Sequence, residues 1–278
     1  MAPALEKRGA GANKDPALKQ RSDSATKESE LAWRLEAAFD VAWPCLEQTA
    51  VGPWLCKVAG RVSRRSNSAN PQGPQALLDA QAMAAIAGVY AAARQPAYVR
   101  VLSVLDPEVD RALERAGWSL EGETLTLTGP LDGGAAADGA ELTPVPTPEW
   151  LAALNAINGR GPEASVAFAA ILAKLEAPAA FAAIRRDGRI ASAAYGVLLD
   201  GWLCIEAVAT DPGFRGQGLA GEVAASLMAW GKAKGGQGGC LQVSADNAAG
   251  RALYRKLGFG HQAYRYHYRR GPFTESGA

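Results

Sequence analysis

Along the first half of the chain the apolar positions switch repeatedly between a period of two and a period of 3.6. VGPWLCKVAGRVSRRSNS, residues 51–68, alternates and predicts a strand or hairpin. GPQALLDAQAMAAIAGVYAAARQ, residues 73–95, spaces its apolar residues for a helix that opens behind a proline. YVRVLSVL predicts a strand, DPEVDRALERAGW a helix closed by Gly117, and SLEGETLTLTG a further strand. Residues 131–148, LDGGAAADGAELTPVPTP, then break all periodicity with glycine and three prolines. Beyond the break, EWLAALNAI and EASVAFAAILAKLE predict helices. FAAIRRDGRIASAAYGVLLDGWLCIEAVAT predicts antiparallel strands turning at Asp187-Gly188 and Asp200-Gly201. The pattern is α+β. Residues 1–30, rich in Lys, Ala, Ser and Gly and without apolar periodicity, predict a disordered leader.

Superposing Gly117 on Gly258 reveals an internal repeat. YVRVLSVLDPEVDRALERAGWSLEGETLTL lies over GCLQVSADNAAGRALYRKLGFGHQAYRYHY without a gap. Both copies run strand, polar cap, helix, glycine, aromatic, strand. A duplicated half-fold explains this, and 278 residues are ample for two cores. The expected partition is a leader to residue 30, a first domain over 31–130, a linker over 131–140 and a second domain over 141–272.

Composition narrows the setting without naming a chemistry. Hydrophobic residues make up 48% and charged residues 21%, as in a globular protein, and a net charge of +1 offers no global field for nucleic acid or lipid. No apolar run reaches the length of a bilayer span, and the N-terminal stretch lacks the apolar core of a secretory signal, so a cytoplasmic location is expected. Cys45, Cys56, Cys204 and Cys240 are widely spaced, which predicts packing residues and no metal site.

The densest local feature is AVATDPGFRGQGLAGEVAASLMAWGKAKGG, where a β-like run enters a glycine-rich loop and then an amphipathic helix. In Arg215-Gly216-Gln217-Gly218-Leu219-Ala220 the paired glycines let successive N–H groups converge at the helix N-terminus, a geometry that attracts a phosphate. Two familiar nucleotide loops do not fit. A Walker loop requires Lys-Ser/Thr where Leu219-Ala220 stands, and a dinucleotide fingerprint requires an acidic residue on the next strand, which carries Gln242 and Ser244.

V-A-T-D-P-x-F-R-G-Q-G-L-A followed by S-A-D-N-A-A-G-R-A-L-Y-R-K-L-G-F resembles the two signature segments of the GNAT superfamily of N-acetyltransferases. The resemblance spans residues 141–270. It implies the GNAT fold, a mixed and largely antiparallel sheet flanked by helices, with acetyl-CoA as cosubstrate and no metal. Arg215, Gly218 and Ala220 fall on the fixed places of the loop that cradles the coenzyme A pyrophosphate, with Gly216, Gln217 and Leu219 between them. The resemblance further implies that the strand before the loop diverges from its neighbour. The pantetheine arm then bonds the main chain of Val208, Ala209 and Thr210 in the gap, beside Asn247.

Acetyl transfer to an amine needs a proton acceptor for the amine and a proton donor for the departing thiolate. Tyr254 is the candidate donor, since a phenol stays protonated at neutral pH. Glu206 is the candidate base. Strand parity predicts Glu206, Val208 and Thr210 on one face, and the alternative for Glu206 is a solvated strand carboxylate. His261 and His267 lack metal spacing, and Tyr264, Tyr266 and Tyr268 share a face that predicts packing.

The first copy carries Leu113 at the Tyr254 position and Asp106 at the Asn247 position, and Gly73-Pro74-Gln75 lacks the paired-glycine loop. A degenerate GNAT-like domain is therefore expected, serving as scaffold, acceptor-side wall or homodimer surface. RVSRRSNSANP resembles a segment of bacterial two-part GNAT proteins whose first half is degenerate. Arg61, Arg64 and Arg65 lack interleaved aromatics and predict a solvated turn or, equally, a pairing with an acidic acceptor, so no nucleic-acid partner is expected. Three functions are separable by experiment. An N-acetyltransferase acting on a primary amine of a small molecule releases thiol when amine is supplied. A coenzyme-A-binding regulatory protein binds without turnover. A nucleic-acid module binds RNA or DNA in a salt-sensitive way that survives Arg215→Ala.

Overall fold

A computed structural model describes residues 16–60, 62–132 and 136–272. Helix α1 (Pro16–Ala42) contains no Gly and no Pro after its first residue, and its second half buries Ala32, Leu35, Ala38, Phe39 and Ala42 at helical spacing. Residues 16–30 of the expected disordered leader are thus helical, continuing outward from a turn that packing holds in place. The remainder of that leader lies outside the described residues.

After α1 come β1 (Glu47–Val51), β2 (Trp54–Val58), β3 (Ala69–Pro71), α2 (Ala80–Ala92), β4 (Tyr98–Leu102), α3 (Pro107–Arg115) and β5 (Ser119–Gly129). The second half adds β6 (Ala140–Thr143), α4 (Pro148–Ile157), α5 (Pro162–Leu172), β7 (Ala179–Arg186), β8 (Arg189–Leu199) and β9 (Trp202–Thr210). A short 3-10 turn (Pro212–Phe214) then leads to α6 (Leu219–Ala233), β10 (Gly238–Ser244), α7 (Ala248–Lys256) and β11 (His261–Arg270). Helix starts follow the side chains that cap them: Asp79 accepts from the Ala82 amide, Thr147 from Trp150 and Asn247 from Gly250. The cap at Asp79 explains why α2 begins at Ala80, six residues after the Pro74 that leads the helix predicted from the sequence.

All the strands join one 11-stranded sheet in the order β1-β2-β3-β4-β11-β5-β10-β9-β8-β7-β6. Only β3–β4 and β9–β10 are parallel. Four strands of each half repeat one pattern, β1-β2-β3-β4 and β7-β8-β9-β10, and the strand–helix–strand repeat of the sequence is β4-α3-β5 and β10-α7-β11. Gly117 (φ +77) and Gly258 (φ +94) close α3 and α7 in the left-handed conformation that glycine permits. The last strands are exchanged: β5 of the first half pairs with β10 of the second, and β11 pairs with β4. β5 and β11 then pair with each other at the centre of the sheet. Residues 131–140 consequently join the centre of a shared sheet to its far edge.

The crossing of β5 with the turn after α7 is tight. A Cβ on Gly129 would stand 2.5 Å from the Gly258 carbonyl oxygen and 2.9 Å from the Phe259 Cα, both backbone atoms that cannot rotate away. Gly129→Ala is expected to cost about 2–3 kcal/mol, read as a lowered thermal midpoint.

Two apolar clusters flank the sheet. One lies beneath α6 and gathers Val223, Leu227 and Met228 against Leu203, Ile205, Leu241 and Phe259. The other joins α1 and the first-half helices to Trp150, Phe168 and Tyr195 of the second half. Trp43 bridges the halves by stacking on Tyr195 and packing on Phe168, and the Tyr195 hydroxyl donates to the Ala42 carbonyl at 2.8 Å. Cys204 and Cys240 are buried neighbours on β9 and β10 with sulfurs 3.4 Å apart, and all four cysteines are free thiols.

Candidate active site

β9 and β10 pair only from Gly238↔Trp202 to Leu241↔Ile205, although both strands continue. Past that point β10 keeps its other neighbour, β5, to Ser244↔Thr124, and β9 keeps β8 to Thr210↔Ser192. The sheet therefore opens into a wedge, and the wedge-facing edge of residues 206–210 has no strand beside it. The cause is local. Ala207 adopts φ +54, and the register with β8 slips between Ala193 and Tyr195, a bulge that turns β9 away from β10.

The bulge corrects the expected strand parity. Glu206 follows Cys204 on the α1 side, whereas Val208 packs against the cluster beneath α6 and Ala207 and Ala209 pack on the opposite side. One extra residue in the strand moves Val208 off the face of Glu206.

On the α6 side the wedge holds a cleft of about 300 Å³ lined by Val208, Thr210, Arg215, Gly216, Gly218, Leu219, Ala220, Asn247 and Tyr254, with α7 residues closing it. Its floor is built by the loop. Asp211 accepts from the Gly213 amide at 2.8 Å and pairs with Arg189, and Phe214 is buried, so the loop is pinned before it reaches Arg215. Gly216 (φ +79) and Gly218 (φ +82) are left-handed. The Gly221 and Glu222 amides turn back to the Gly218 carbonyl, and the amides before them precede any helical acceptor. Arg215 donates to the Thr210 carbonyl and has no carboxylate partner among the described residues. Three of the predicted residues contribute differently. Gln217 is exposed and stands outside the lining of this cleft, Ala209 gives its carbonyl to the Ser192 hydroxyl, and Asn247 caps α7 while it lines the wedge.

On the α1 side a second cleft of about 330 Å³ is lined by Trp43, Arg65, Thr124, Glu206, Gln242, Tyr254 and Tyr266, among others. The two clefts share Val208, Asn247 and Tyr254. Tyr254 stands between them, its ring edge-on to Phe259 with centroids 6.3 Å apart. Burial first, and the Glu206 carboxylate second, push its phenol up to about 12.

Glu206 is 5% exposed, which rules out the solvated strand carboxylate. Both its oxygens accept from Arg65, Nη1–Oε1 at 3.0 Å and Nη2–Oε2 at 2.6 Å, and Nη1 also donates to Gln242 Oε1 at 2.8 Å. Burial by itself lowers the Arg65 guanidinium, and the Glu206 carboxylate more than reverses this, holding it charged above the ordinary arginine range. The solvated turn expected at Arg61, Arg64 and Arg65 is thus corrected. Arg65 reaches the second half, Arg64 pairs with Glu121, and Arg61 lies outside the described residues. Sequence reasoning missed Arg65 because its partner lies 141 positions away. It passed over Trp43, read Gln242 only as the absence of an acidic residue, and read Tyr266 as a packing residue. Tyr264, Tyr266 and Tyr268 are buried as packing residues, and Tyr266 in addition donates to Gln242 Oε1 at 3.0 Å.

Comparison with known proteins bears on the fold and the family. The family described as "Probable histone acetyltransferase Rv0428c C-terminal" matches residues 31–268. A GCN5-related N-acetyltransferase from Kribbella flavida is similar over 91% of this chain and 96% of its own, with a TM-score of 0.61 at 18% identity. A tandem GNAT protein from the clavulanic acid biosynthesis pathway is similar over 74% of this chain and 76% of its own, with a TM-score of 0.56 at 14% identity. No curated protein matches the chain. At these identities the structural likenesses establish the fold alone, the GNAT fold that the loop and the Asn247-to-Phe259 segment led one to expect. With most of its length matched by the family and its sheet opened at the expected wedge, the chain belongs to the Rv0428c C-terminal family and is an acetyltransferase of the GNAT type.

Proposed function

We propose that this chain transfers an acetyl group from acetyl-CoA to a primary amine within a ternary complex. The observation that carries the reading is the meeting of two clefts at Tyr254, one built on an anion-binding helix start and the other on a buried carboxylate. Arg215 and the amides around Gly216, Gly218, Leu219 and Ala220 would hold the pyrophosphate, and the open edge of β9 at Val208 and Thr210 would take the pantetheine amides. Gly216 fits this role because the space a Cβ would occupy is open, with no atom within 4 Å.

The amine enters from the side of Trp43 and Tyr266. Glu206 draws the ammonium in and accepts its proton, directly or through a water, and the freed nitrogen attacks the thioester carbonyl. As the C–N bond forms and the C–S bond breaks, the Tyr254 hydroxyl gives its proton to the departing sulfur; the second proton of the amine nitrogen and the one held on Glu206 pass to solvent, from which Tyr254 is reprotonated. The phenol suits the role because its titration near 12 keeps it protonated across the neutral range.

A thiol-release screen over peptides with free lysine, peptide N-termini, amino acids, polyamines and aminoglycosides tests the proposal. The lysine peptides are included because the family description names histone acetyltransferases. Amine-dependent release supports it. Coenzyme A binding without release from any class overturns it in favour of the regulatory reading. Arg215→Ala is expected to raise the coenzyme A dissociation constant about tenfold by calorimetry and to flatten its salt dependence. An unchanged constant would remove Arg215 from the pyrophosphate site.

A further inference from the structure

The acceptor cleft is not built by the second half alone. Trp43 and Arg65, from the connections after α1 and β2, stand in it beside Glu206 and Gln242. The loop that delivers Arg65 is held at several points. The Ser66 hydroxyl accepts from the Trp43 indole at 3.1 Å, the Asn67 side chain accepts from the Ala59 amide at 3.0 Å and donates to the Ser63 carbonyl at 2.8 Å, and the Asn67 amide donates to the Arg64 carbonyl at 3.0 Å. Arg65 then lies over the Trp43 ring, 4.5 Å from its centroid, with only 16% of its side chain exposed. A surface arginine needs none of this. Such a mounting costs backbone and side-chain freedom, and what it secures is a guanidinium whose planar fork meets one carboxylate edge-on.

Resting on the acetyl-transfer reading above, we infer that Arg65 is a positioning residue of that reaction, acting through Glu206. A buried carboxylate without a counter-charge takes up a proton or swings to solvent, and in either state it no longer faces the acceptor cleft as an anion. The fork of Arg65 prevents both. It occupies one side of the carboxylate and leaves the remaining lone pairs of the two oxygens for the amine or a bridging water. Gln242 completes the clamp, since its Oε1 accepts from Arg65 and from the Tyr266 hydroxyl together. The first half therefore serves the chemistry of the second by supplying this one cation.

The test compares Arg65→Met, Arg65→Lys, Glu206→Gln and the double Arg65→Met/Glu206→Gln variant in the full chain, using an amine acceptor found in the screen. Arg65→Met is expected to lower kcat about 100-fold while coenzyme A binds within twofold of wild type. Arg65→Lys, a point charge without the fork, is expected to recover about a tenth of wild-type kcat. The double variant is expected to match Glu206→Gln alone, because a residue that acts through Glu206 has nothing left to position. Losses that multiply in the double variant would assign Arg65 a purely structural role and overturn the inference, as would wild-type kcat in a folded Arg65→Met. A wild type that binds coenzyme A and acetylates no amine overturns the acetyl-transfer reading and this inference with it, whereas turnover that survives Arg65→Met overturns this inference alone.

Discussion

Expressed alone, residues 131–278 are expected to give no cooperative thermal transition and no coenzyme A binding, although they contain the whole of the loop and both Glu206 and Tyr254. The reason is the exchange of strands. β5, which separates β10 from β11, comes from the other half, and so does β4, the second neighbour of β11. Removing residues 1–130 strips β11 of both neighbours and β10 of one. It also removes α1, whose buried face and Trp43 cover Phe168 and Tyr195. Each ladder hydrogen bond contributes about 0.5–1.5 kcal/mol net, so three ladders and the apolar face above them exceed the whole margin of a typical domain, about 5–15 kcal/mol. Co-expression of residues 1–130 from a separate message is expected to restore both the transition and the binding, as complementation by the missing strand. A fragment that folded by itself and bound coenzyme A as tightly as the full chain would show that β11 can close on β10 without β5.

That expectation bears on what the sequence could disclose. The elements of the repeat were legible because each is written locally: a polar cap at Asp106 or Asn247, an amphipathic helix, and a left-handed glycine at 117 or 258. The glycine-rich loop before α6 was legible for the same reason, since its glycines and the helix behind them are consecutive. Which β4-like strand each final strand would join was not legible. β5 and β11 carry interchangeable patterns, and a duplicated half-fold offers two equivalent partners for each. The partition into separate domains with a linker at 131–140 followed from the break in periodicity there, which says nothing of how strands on either side pair. The site divided in the same way. Tyr254, Arg215 and Gly218 line the cleft on the α6 side from positions written by consecutive residues, while the geometry around Glu206 depends on Ala207 at φ +54 and on Arg65. An alanine gives no warning of a bulge, and an arginine in a polar turn gives none of a buried ion pair.

Tyr254→Phe is expected to lower kcat about 100-fold, within the range by which a positioned proton donor accelerates its step, and to leave the acceptor KM and the coenzyme A dissociation constant within twofold. The substitution removes the hydroxyl and keeps the ring, so the edge-on contact with Phe259 and the wall it gives to both clefts survive. The pH dependence carries a sign that separates this role from simple packing. The folded-state phenol titrates near 12, above its ordinary value of about 10, because burial and then Glu206 disfavour the phenolate. A donor held protonated that far gives a kcat that does not decline on the alkaline side until well past pH ~10, and the residual rate of Tyr254→Phe loses that late decline altogether. A pH–rate profile for both proteins checks it, with tyrosinate absorbance confirming that one phenol fewer ionises late in the variant. Wild-type kcat in Tyr254→Phe would leave the thiolate to be protonated by solvent, and the enzyme would then work by holding amine and thioester together across the wedge.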